Sequence, residues 1–221
     1  QYLHDLYRFF KLSVRRHEFR DIFKEKLDLH HIPALSNVLY SEDILFPIAD
    51  FYLKKERWNE AIEVYEEMET IGALQGRGAE YYQKLGYALQ KNKKYAEAID
   101  AYLKADTLKP DNIWNNRHLA ICYRLNRNYQ AALSYYKKVE EATPEDTNVI
   151  FHIGSCLAEL GQYEEAANYF FKLDFIESNC IKAWRGIGWC SFISRKYEQA
   201  MKYYEKIIEQ KPLAIDYMNA G

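Results

Sequence analysis

One ten-residue stretch, Gly161–Phe170 (GQYEEAANYF), returns four more times along the chain in altered form. Its pairing of Tyr163 with Ala166 recurs as Trp58/Ala61, Tyr95/Ala98, Tyr129/Ala132 and Tyr197/Ala200. These five alanines, which we call the Ala column, follow one another at a nearly constant interval of about 34 residues, with one longer step between Ala61 and Ala98. A fixed period in this range indicates an array built from one supersecondary unit.

Each unit has the apolar spacing of two α-helices joined by a turn. In the second helix of the third unit the apolar residues occupy one helical face: Tyr129, Ala132, Leu133, Tyr136 and Val139. A small residue lies twelve positions before each member of the Ala column: Ala49, Gly86, Ala120, Gly154 and Gly188. Gly costs about 1 kcal/mol relative to Ala inside a helix, so its recurrence predicts a close approach of the paired helices.

The period divides the chain into five predicted units: residues 42–78, 79–112, 113–146, 147–180 and 181–214. Residues 1–41 are predicted to form a degenerate repeat or a helical N-terminal cap, and 215–221 the start of a further helix. Pro47 predicts that the first helix starts late, with Pro47 in its first turn, or that it is kinked. Because the chain starts with Gln1 rather than Met, we expect it to be a fragment of a longer protein.

Composition excludes several classes of function. Hydrophobic residues make up 48% of the 221 residues, enough for a sizeable core, and 30 basic residues nearly balance 32 acidic ones. A net charge of −2 gives no general attraction to nucleic acid or anionic lipid. The sequence shows no membrane-spanning run and no signal peptide. Three of the four cysteines, Cys122, Cys156 and Cys190, follow one another at the repeat interval and are interpreted as reduced thiols, which favours a cytoplasmic location.

The repeated residues resemble the tetratricopeptide repeat, a helix–turn–helix unit of about 34 residues. The resemblance rests on seven residues of the fifth unit, each of which has a counterpart in the second unit. They are Trp184, Ile187, Gly188, Tyr197, Ala200, Tyr204 and Pro212. The resemblance implies an all-α, right-handed superhelical solenoid. The motif residues are core residues, so the resemblance predicts the fold and says little about function. The function that we expect is a non-catalytic scaffold for protein–protein interaction whose concave face holds a segment of a partner.

The family geometry implies that first helices line a concave groove. The residues placed there are Phe46, Tyr87, Trp114, Arg117, Arg124, Phe151, Lys182, Arg185, Trp189 and Phe192. Trp, Tyr and Arg dominate binding hot spots, so we expect a partner peptide or helix that carries acidic and apolar side chains. The competing interpretation is that Trp114, Phe151 and Trp189 pack between adjacent repeats.

The sequence bears on three other functions. The carboxylate clamp that some family members use for chaperone tails is rejected, because no three units supply its donors; the second to fourth offer Gln83, Tyr87, His118, Asn148 and His152. Zinc binding by His118/Cys122 and His152/Cys156 is disfavoured, since duplication of the unit explains both pairs. No cofactor or catalytic residue is predicted. A regulatory or sensing arm of a larger enzyme or transcription regulator remains the alternative to a scaffold.

Overall fold

The computed structural model describes residues 42–70, 72, 77–210 and 213–220. The predicted cap at residues 1–41 lies outside these residues. The described part of the chain is entirely helical, in agreement with the predicted all-α fold, and contains no strand. Its helices are α1 (Glu42–Lys54), α2 (Trp58–Thr70), α3 (Gly78–Lys91), α4 (Tyr95–Leu108), α5 (Ile113–Leu125), α6 (Tyr129–Ala142), α7 (Thr147–Glu159), α8 (Tyr163–Ile176), α9 (Ile181–Ile193), α10 (Tyr197–Gln210) and α11 (Ala214–Ala220).

The chain divides into two compact units, residues 1–81 and 82–221. In the first unit, α1 packs on α2, and the Tyr65 hydroxyl of α2 donates a hydrogen bond to Asp50 of α1 at 3.2 Å. In the second unit, consecutive helices pack as the pairs α5/α6, α7/α8 and α9/α10. Each pair contacts the next one through α6/α7 and α8/α9, and α7 also touches α9. Helical pairs therefore stack in sequence order, as the repeat predicts.

Small residues bring the two helices of a pair together. All five members of the Ala column are buried. A β-carbon added at Gly86 would lie 2.8 Å from Cε1 of Tyr102, and one at Gly154 would lie 2.9 Å from Cε1 of Phe170. Contacts this short force a neighbouring atom to move, so a larger residue would overpack the helix pair. The predicted reason for the recurring glycines is confirmed.

Turns and caps also follow the repeat. Lys93, Arg127, Gly161 and Arg195 occupy one position of the turn between paired helices, and all four have positive φ, between 60° and 77°. Only at Gly161 is this conformation free of steric cost. Further along, the Asp146 side chain caps α7 by accepting hydrogen bonds from the backbone N–H groups of Asn148 and Val149.

The position of Pro47 in its helix differs from one of the two alternatives predicted. Helix α1 begins at Glu42, which places Pro47 in the middle of the helix rather than in its first turn. Within the described residues, none of the helices has both the length and the apolarity needed to cross a membrane.

Candidate functional site

Nine of the ten sequence-predicted site residues lie in the second unit, on the first helices α3, α5, α7 and α9. We call this the first-helix surface and define it by these nine: Tyr87, Trp114, Arg117, Arg124, Phe151, Lys182, Arg185, Trp189 and Phe192. Phe46 of α1 is the exception. Its ring is 2% exposed, contacts Tyr65 edge-on at 6.1 Å and lies under the Arg77 guanidinium at 5.4 Å. A ring buried in this way offers no surface to a partner, so Phe46 is not part of the candidate site.

An aromatic cluster occupies the first-helix surface between α3 and α5. The rings of Trp114 and His118 are 4.0 Å apart, and Tyr87 contacts His118 edge-on at 5.7 Å. The Lys91 ammonium lies 5.2 Å from the Tyr87 ring centre, within cation–π range. Although it packs in this cluster, Trp114 remains 42% exposed. Trp114 therefore both packs between repeats and presents surface, which combines the two interpretations offered by the sequence.

The polar centre of this cluster is Gln90. Its Oε1 accepts hydrogen bonds from the Tyr102 hydroxyl at 2.9 Å and from His118 Nδ1–H at 2.8 Å. Burial, followed by the charges of Lys91 and Arg117, lowers the pKa of His118 from 6.5 to about 4. The imidazole is thus neutral at physiological pH, and its protonated nitrogen points at an amide oxygen rather than at a metal.

The next interface, between α5 and α7, again holds a tyrosine and a histidine, but an arginine replaces the glutamine. Arg124, Tyr136 and His152 stand one repeat after Gln90, Tyr102 and His118. The Tyr136 and His152 rings stack at 5.5 Å. Since Arg124 carries donors only, it cannot accept the two hydrogen bonds that Gln90 accepts. Among the described residues, Arg124 Nε and His152 Nδ1 have no hydrogen-bond partner, and the Arg124 guanidinium lies close enough to the Tyr136 hydroxyl to oppose the rise of its pKa that burial causes.

The third interface, between α7 and α9, contains a cleft of about 570 Å³. Ala158, Phe170 and Gly186 stand here, one repeat after Arg124, Tyr136 and His152; we call these three equivalent positions the three columns. Phe170 of α8 forms the floor, with its ring held between Gly154 and Gly186. The walls and rim come from both first helices and the start of α8: Phe151, Ser155, Glu159, Tyr163, Lys182, Arg185 and Trp189. Four of the sequence-predicted site residues, Phe151, Lys182, Arg185 and Trp189, are therefore brought together around one cavity.

Charged groups around the cleft differ in their availability. Arg117 pairs with Asp146 at 2.8 Å, and Arg185 pairs with Asp216 of α11 through two hydrogen bonds of 2.9 and 2.7 Å. Arg185 is the largest cause of the lowered pKa of Asp216. In contrast, Lys182 and Arg124 form no ion pair within the described part of the chain. Lys182 is exposed and therefore available to a partner, whereas the Arg124 Nε is buried in the α5/α7 interface.

Exposed aromatic residues continue past the cleft toward the end of α9. Trp189 and Phe192 are 46% and 47% exposed, and their rings stack at 6.4 Å. Phe192 also contacts Tyr197 edge-on at 5.9 Å. The first-helix surface thus has a second group of exposed aromatic residues, at and beyond the cleft.

Sequence reasoning did not identify the residues that open the cleft. Ala158 and Gly186 are small residues on first helices, and small residues there suggest helix packing rather than a site. The signal was present in the columns, because Gln90 and Arg124 precede Ala158, and His118 and His152 precede Gly186, at intervals of one repeat. Comparing side-chain size down each column would have located the opening.

The two His/Cys pairs do not assemble a metal site. Burial raises the pKa of Cys122 to about 12 and that of Cys156 to about 11. His118 is hydrogen-bonded to Gln90, as described above. In the part of the chain that the structure describes, no group of three or more His, Cys, Asp or Glu residues is placed to hold a metal ion.

Solved structures with a similar fold were found. YrrB, described as a TPR protein with an unusual peptide-binding site, is 20% identical, with a TM-score of 0.72 over 85% of this chain and 95% of that chain. MamA from Desulfovibrio magneticus RS-1 is 18% identical, with a TM-score of 0.69 over 77% and 97% of the two chains. MamA MSR-1 is 24% identical, with a TM-score of 0.67 over 76% and 95%. At these identities the likeness shows the fold alone.

No curated protein matches this chain. Sequence-family models, in contrast, agree with the fold. Models described as tetratricopeptide repeat match residues 45–75, 79–112, 124–190 and 181–212. These matches cover most of the helical pairs, and the stacked helices have the fold of solved tetratricopeptide repeat proteins. The chain therefore belongs to the tetratricopeptide repeat family.

Proposed function

We propose that this chain is a non-catalytic scaffold that binds a peptide or helical segment of a partner protein on the first-helix surface of residues 82–221. The observation that carries the proposal is the cleft of about 570 Å³ between α7 and α9, which four residues singled out from the sequence surround. Its volume lies within the range of about 300–1,000 Å³ that is usual for ligand pockets.

The side chains at the cleft are of the types that contribute most to protein interfaces. Trp189 and Phe192 expose nearly half of their surface, and Trp is one of the residue types enriched among binding hot spots. Lys182 adds a positive charge that no residue of the described chain neutralises. The peptide-binding site described for YrrB supports the same kind of activity for this fold.

A cytoplasmic location remains a prediction. It is supported by four unpaired, buried cysteines, which are typical of proteins kept in a reducing compartment. Imaging of the tagged protein in its native host would test it.

The binding proposal is tested by affinity capture from the native host with the 221-residue chain as bait. The test variant combines Trp189→Ala with Lys182→Glu. The matched control combines Phe175→Ala with Lys202→Glu, which removes an aromatic ring that is 89% exposed on α8 and an exposed lysine of α10. Circular dichroism establishes that both variants keep the helicity of the wild type.

We expect mass spectrometry to identify proteins that the wild type and the control retain and that the test variant loses by at least about tenfold. A tenfold loss corresponds to about 1.4 kcal/mol, a modest effect for two hot-spot residues. If the test variant captures the same proteins in the same amounts, the first-helix surface is not the binding surface.

A further inference from the structure

Three successive interfaces of the second unit differ at the same three columns. Between α3 and α5 the columns hold Gln90, Tyr102 and His118, joined by hydrogen bonds of 2.9 and 2.8 Å. Between α5 and α7 they hold Arg124, Tyr136 and His152, again long side chains, and the Tyr136 and His152 rings stack at 5.5 Å. A pocket of about 250 Å³ remains beside Arg124 at this interface, less than half the volume of the cleft between α7 and α9.

At the third interface, between α7 and α9, none of the three equivalent positions holds a polar side chain. Ala158 stands where Gln90 and Arg124 stand earlier, Gly186 replaces the histidine, and Phe170 lacks the tyrosine hydroxyl. The Phe170 ring takes part of the space, since a β-carbon at position 186 would lie 2.5 Å from its Cδ2. The remaining space is the open cleft of about 570 Å³.

We propose that this cleft is the specificity subsite for the partner: it takes one aromatic or large aliphatic side chain, and an acidic residue next to that side chain pairs with Lys182. This inference rests on the proposed function, because it names the chemistry of the segment bound there. The partner's side chain would thus occupy the position that Gln90 and Arg124 occupy at the first two interfaces.

The apolar preference follows from the floor of the cleft. Ala158, Phe170 and Gly186 present no side-chain donor or acceptor, and Phe151 and Trp189 add two aromatic walls. A polar side chain placed on this floor would lose its hydrogen bonds to water and find no replacement there. A ring or branched aliphatic group loses no hydrogen bonds and gains from leaving water.

The acidic neighbour follows from the position of the charges. Lys182 lies in the first turn of α9, and its charge is one cause of the lowered pKa of His152. Glu159 is the last residue of α7 and lines the rim at the other end of the helices. An acidic residue of the partner is attracted at the Lys182 end and repelled at the Glu159 end. The cleft thus selects a direction of the bound segment as well as its composition.

The chain itself offers a substitution that fills the cleft. Ala158→Gln introduces the residue that Gln90 already provides in the same column, so the fold accepts it at an equivalent place. Ala96→Gln, at an exposed site of α4, is the matched control, and Ala158→Ser leaves the cleft open. All three variants are checked for wild-type helicity and thermal midpoint.

The probe is a random dodecapeptide library displayed on phage and selected on the wild-type chain. We expect the enriched peptides to carry an aromatic or large aliphatic residue beside Asp or Glu. The best one, synthesised, should bind Ala158→Gln at least about tenfold more weakly than the wild type, Ala96→Gln or Ala158→Ser. Replacing its apolar anchor with Ala should weaken binding similarly and abolish the difference between wild type and Ala158→Gln, because the two changes remove one contact. Titration should shift the amide signals of Gly154 and Gly186 in NMR spectra.

Each contrary result has a separate meaning. Peptides that bind Ala158→Gln as tightly as wild type but are lost from the Trp189→Ala/Lys182→Glu variant overturn the subsite and leave the proposed function standing. Enriched peptides without an apolar anchor also overturn the subsite. A library that yields no binder overturns the proposed peptide binding and this inference with it. A wild-type dimer that dissociates in Ala158→Gln assigns the cleft to a second copy of the chain and overturns the inference as well.

Discussion

The Phe170 ring lies against the backbone of Gly186, so closely that a β-carbon at position 186 would lie 2.5 Å from Cδ2 of the ring. Phe170 belongs to α8 and Gly186 to α9, so this contact joins one helical pair to the next. The same ring touches Gly154 within its own pair. One aromatic side chain therefore sets both the packing of α7 on α8 and the floor of the cleft.

Gly186→Ala is expected to destabilise the protein more than Gly188→Ala. Replacing Gly by Ala inside a helix gains about 1 kcal/mol, whereas overpacking costs about 1–3 kcal/mol. At position 188 the nearest atom to an added β-carbon is Tyr204 Cζ at 3.0 Å, and the two effects nearly cancel. At position 186 the 2.5 Å contact makes overpacking dominate. Urea unfolding midpoints measure the difference, and equal midpoints for the two variants would contradict the reported packing of Phe170.

Acidification is expected to destabilise the fold between about pH 6.5 and pH 4 through two histidines. Burial lowers the pKa of both His118 and His152 from 6.5 to about 4, with nearby cations adding to the effect. In this window the unfolded chain binds protons that the folded chain does not, so the free energy of unfolding falls as pH falls. The limit is about 1.4 kcal/mol per pH unit for each histidine, and the loss levels off below the folded pKa.

The double variant His118→Asn/His152→Asn isolates this effect, because Asn keeps an N–H donor and does not titrate. Its free energy of unfolding should change less between pH 7 and pH 5 than that of the wild type, as measured by urea titration at each pH. Parallel pH profiles for the two proteins would show that the histidines are not held neutral by burial.

Asp216→Asn is expected to loosen α11 and leave the preceding helices unchanged. Asp216 is 1% exposed, accepts two hydrogen bonds from Arg185 and a third from the Leu213 backbone N–H at 2.7 Å. Asn lacks the charge and has only one acceptor oxygen, so at least one of the three bonds is lost and the others weaken, since charge-assisted hydrogen bonds are about twice as strong as neutral ones. Hydrogen exchange of the α11 amides should accelerate at least about tenfold.

Glu164→Gln is the control for that experiment. Glu164 pairs with Lys196 at 3.1 Å, but its side chain is 79% exposed, and exposed pairs contribute little. Exchange rates in α11 and α8 should be unchanged in this variant. Unaltered α11 exchange in Asp216→Asn would mean that the Arg185–Asp216 pair does not anchor the helix.

Native thiols are expected to react slowly with a disulfide reagent at pH 8. Burial raises the pKa of Cys122 to about 12 and that of Cys156 and Cys190 to about 11. At this pH an exposed thiol with a pKa near 8.5 is ionised roughly 200-fold more than one with a pKa of about 11, and roughly 2,000-fold more than one with a pKa of about 12. These three thiols should therefore react at least about 100-fold more slowly than free cysteine. All four cysteines should react in denaturant. Rapid native modification of Cys122 or Cys156, located by mass spectrometry, would contradict the burial of that column.

Periodicity was sufficient to predict the helical pairs and their contacts. A side chain that recurs once in every repeat meets the same neighbour in each unit, so the sequence alone assigns Ala132 and Gly154 to packing. Periodicity did not predict the burial of Phe46, whose ring is 2% exposed and lies 5.4 Å from the Arg77 guanidinium. Arg77 belongs to the first unit, the one that is longer than 34 residues, so the other units hold no counterpart that would have indicated this contact.

The candidate site was predictable in outline only. Aromatic and basic residues on first helices indicated the surface, and Phe151 and Trp189 do line the cleft. The cleft itself depends on volume that is missing at Ala158 and Gly186, and a motif search looks for side chains that are present. The repeat pattern also does not predict which cations are free to bind a partner. Arg185 is paired with Asp216, a residue 31 positions away that lies outside the pattern.

The column that runs from Gln90 through Arg124 to Ala158 has a consequence for how such proteins diversify. These residues occupy the equivalent position of successive repeats. Shortening Gln90 or Arg124 would therefore open a cleft at that interface, and enlarging Ala158 would close the present one. A binding position could in this way migrate along the array in steps of one repeat without any rebuilding of the backbone. Relatives of this chain could therefore recognise differently spaced segments after only one or two exchanges.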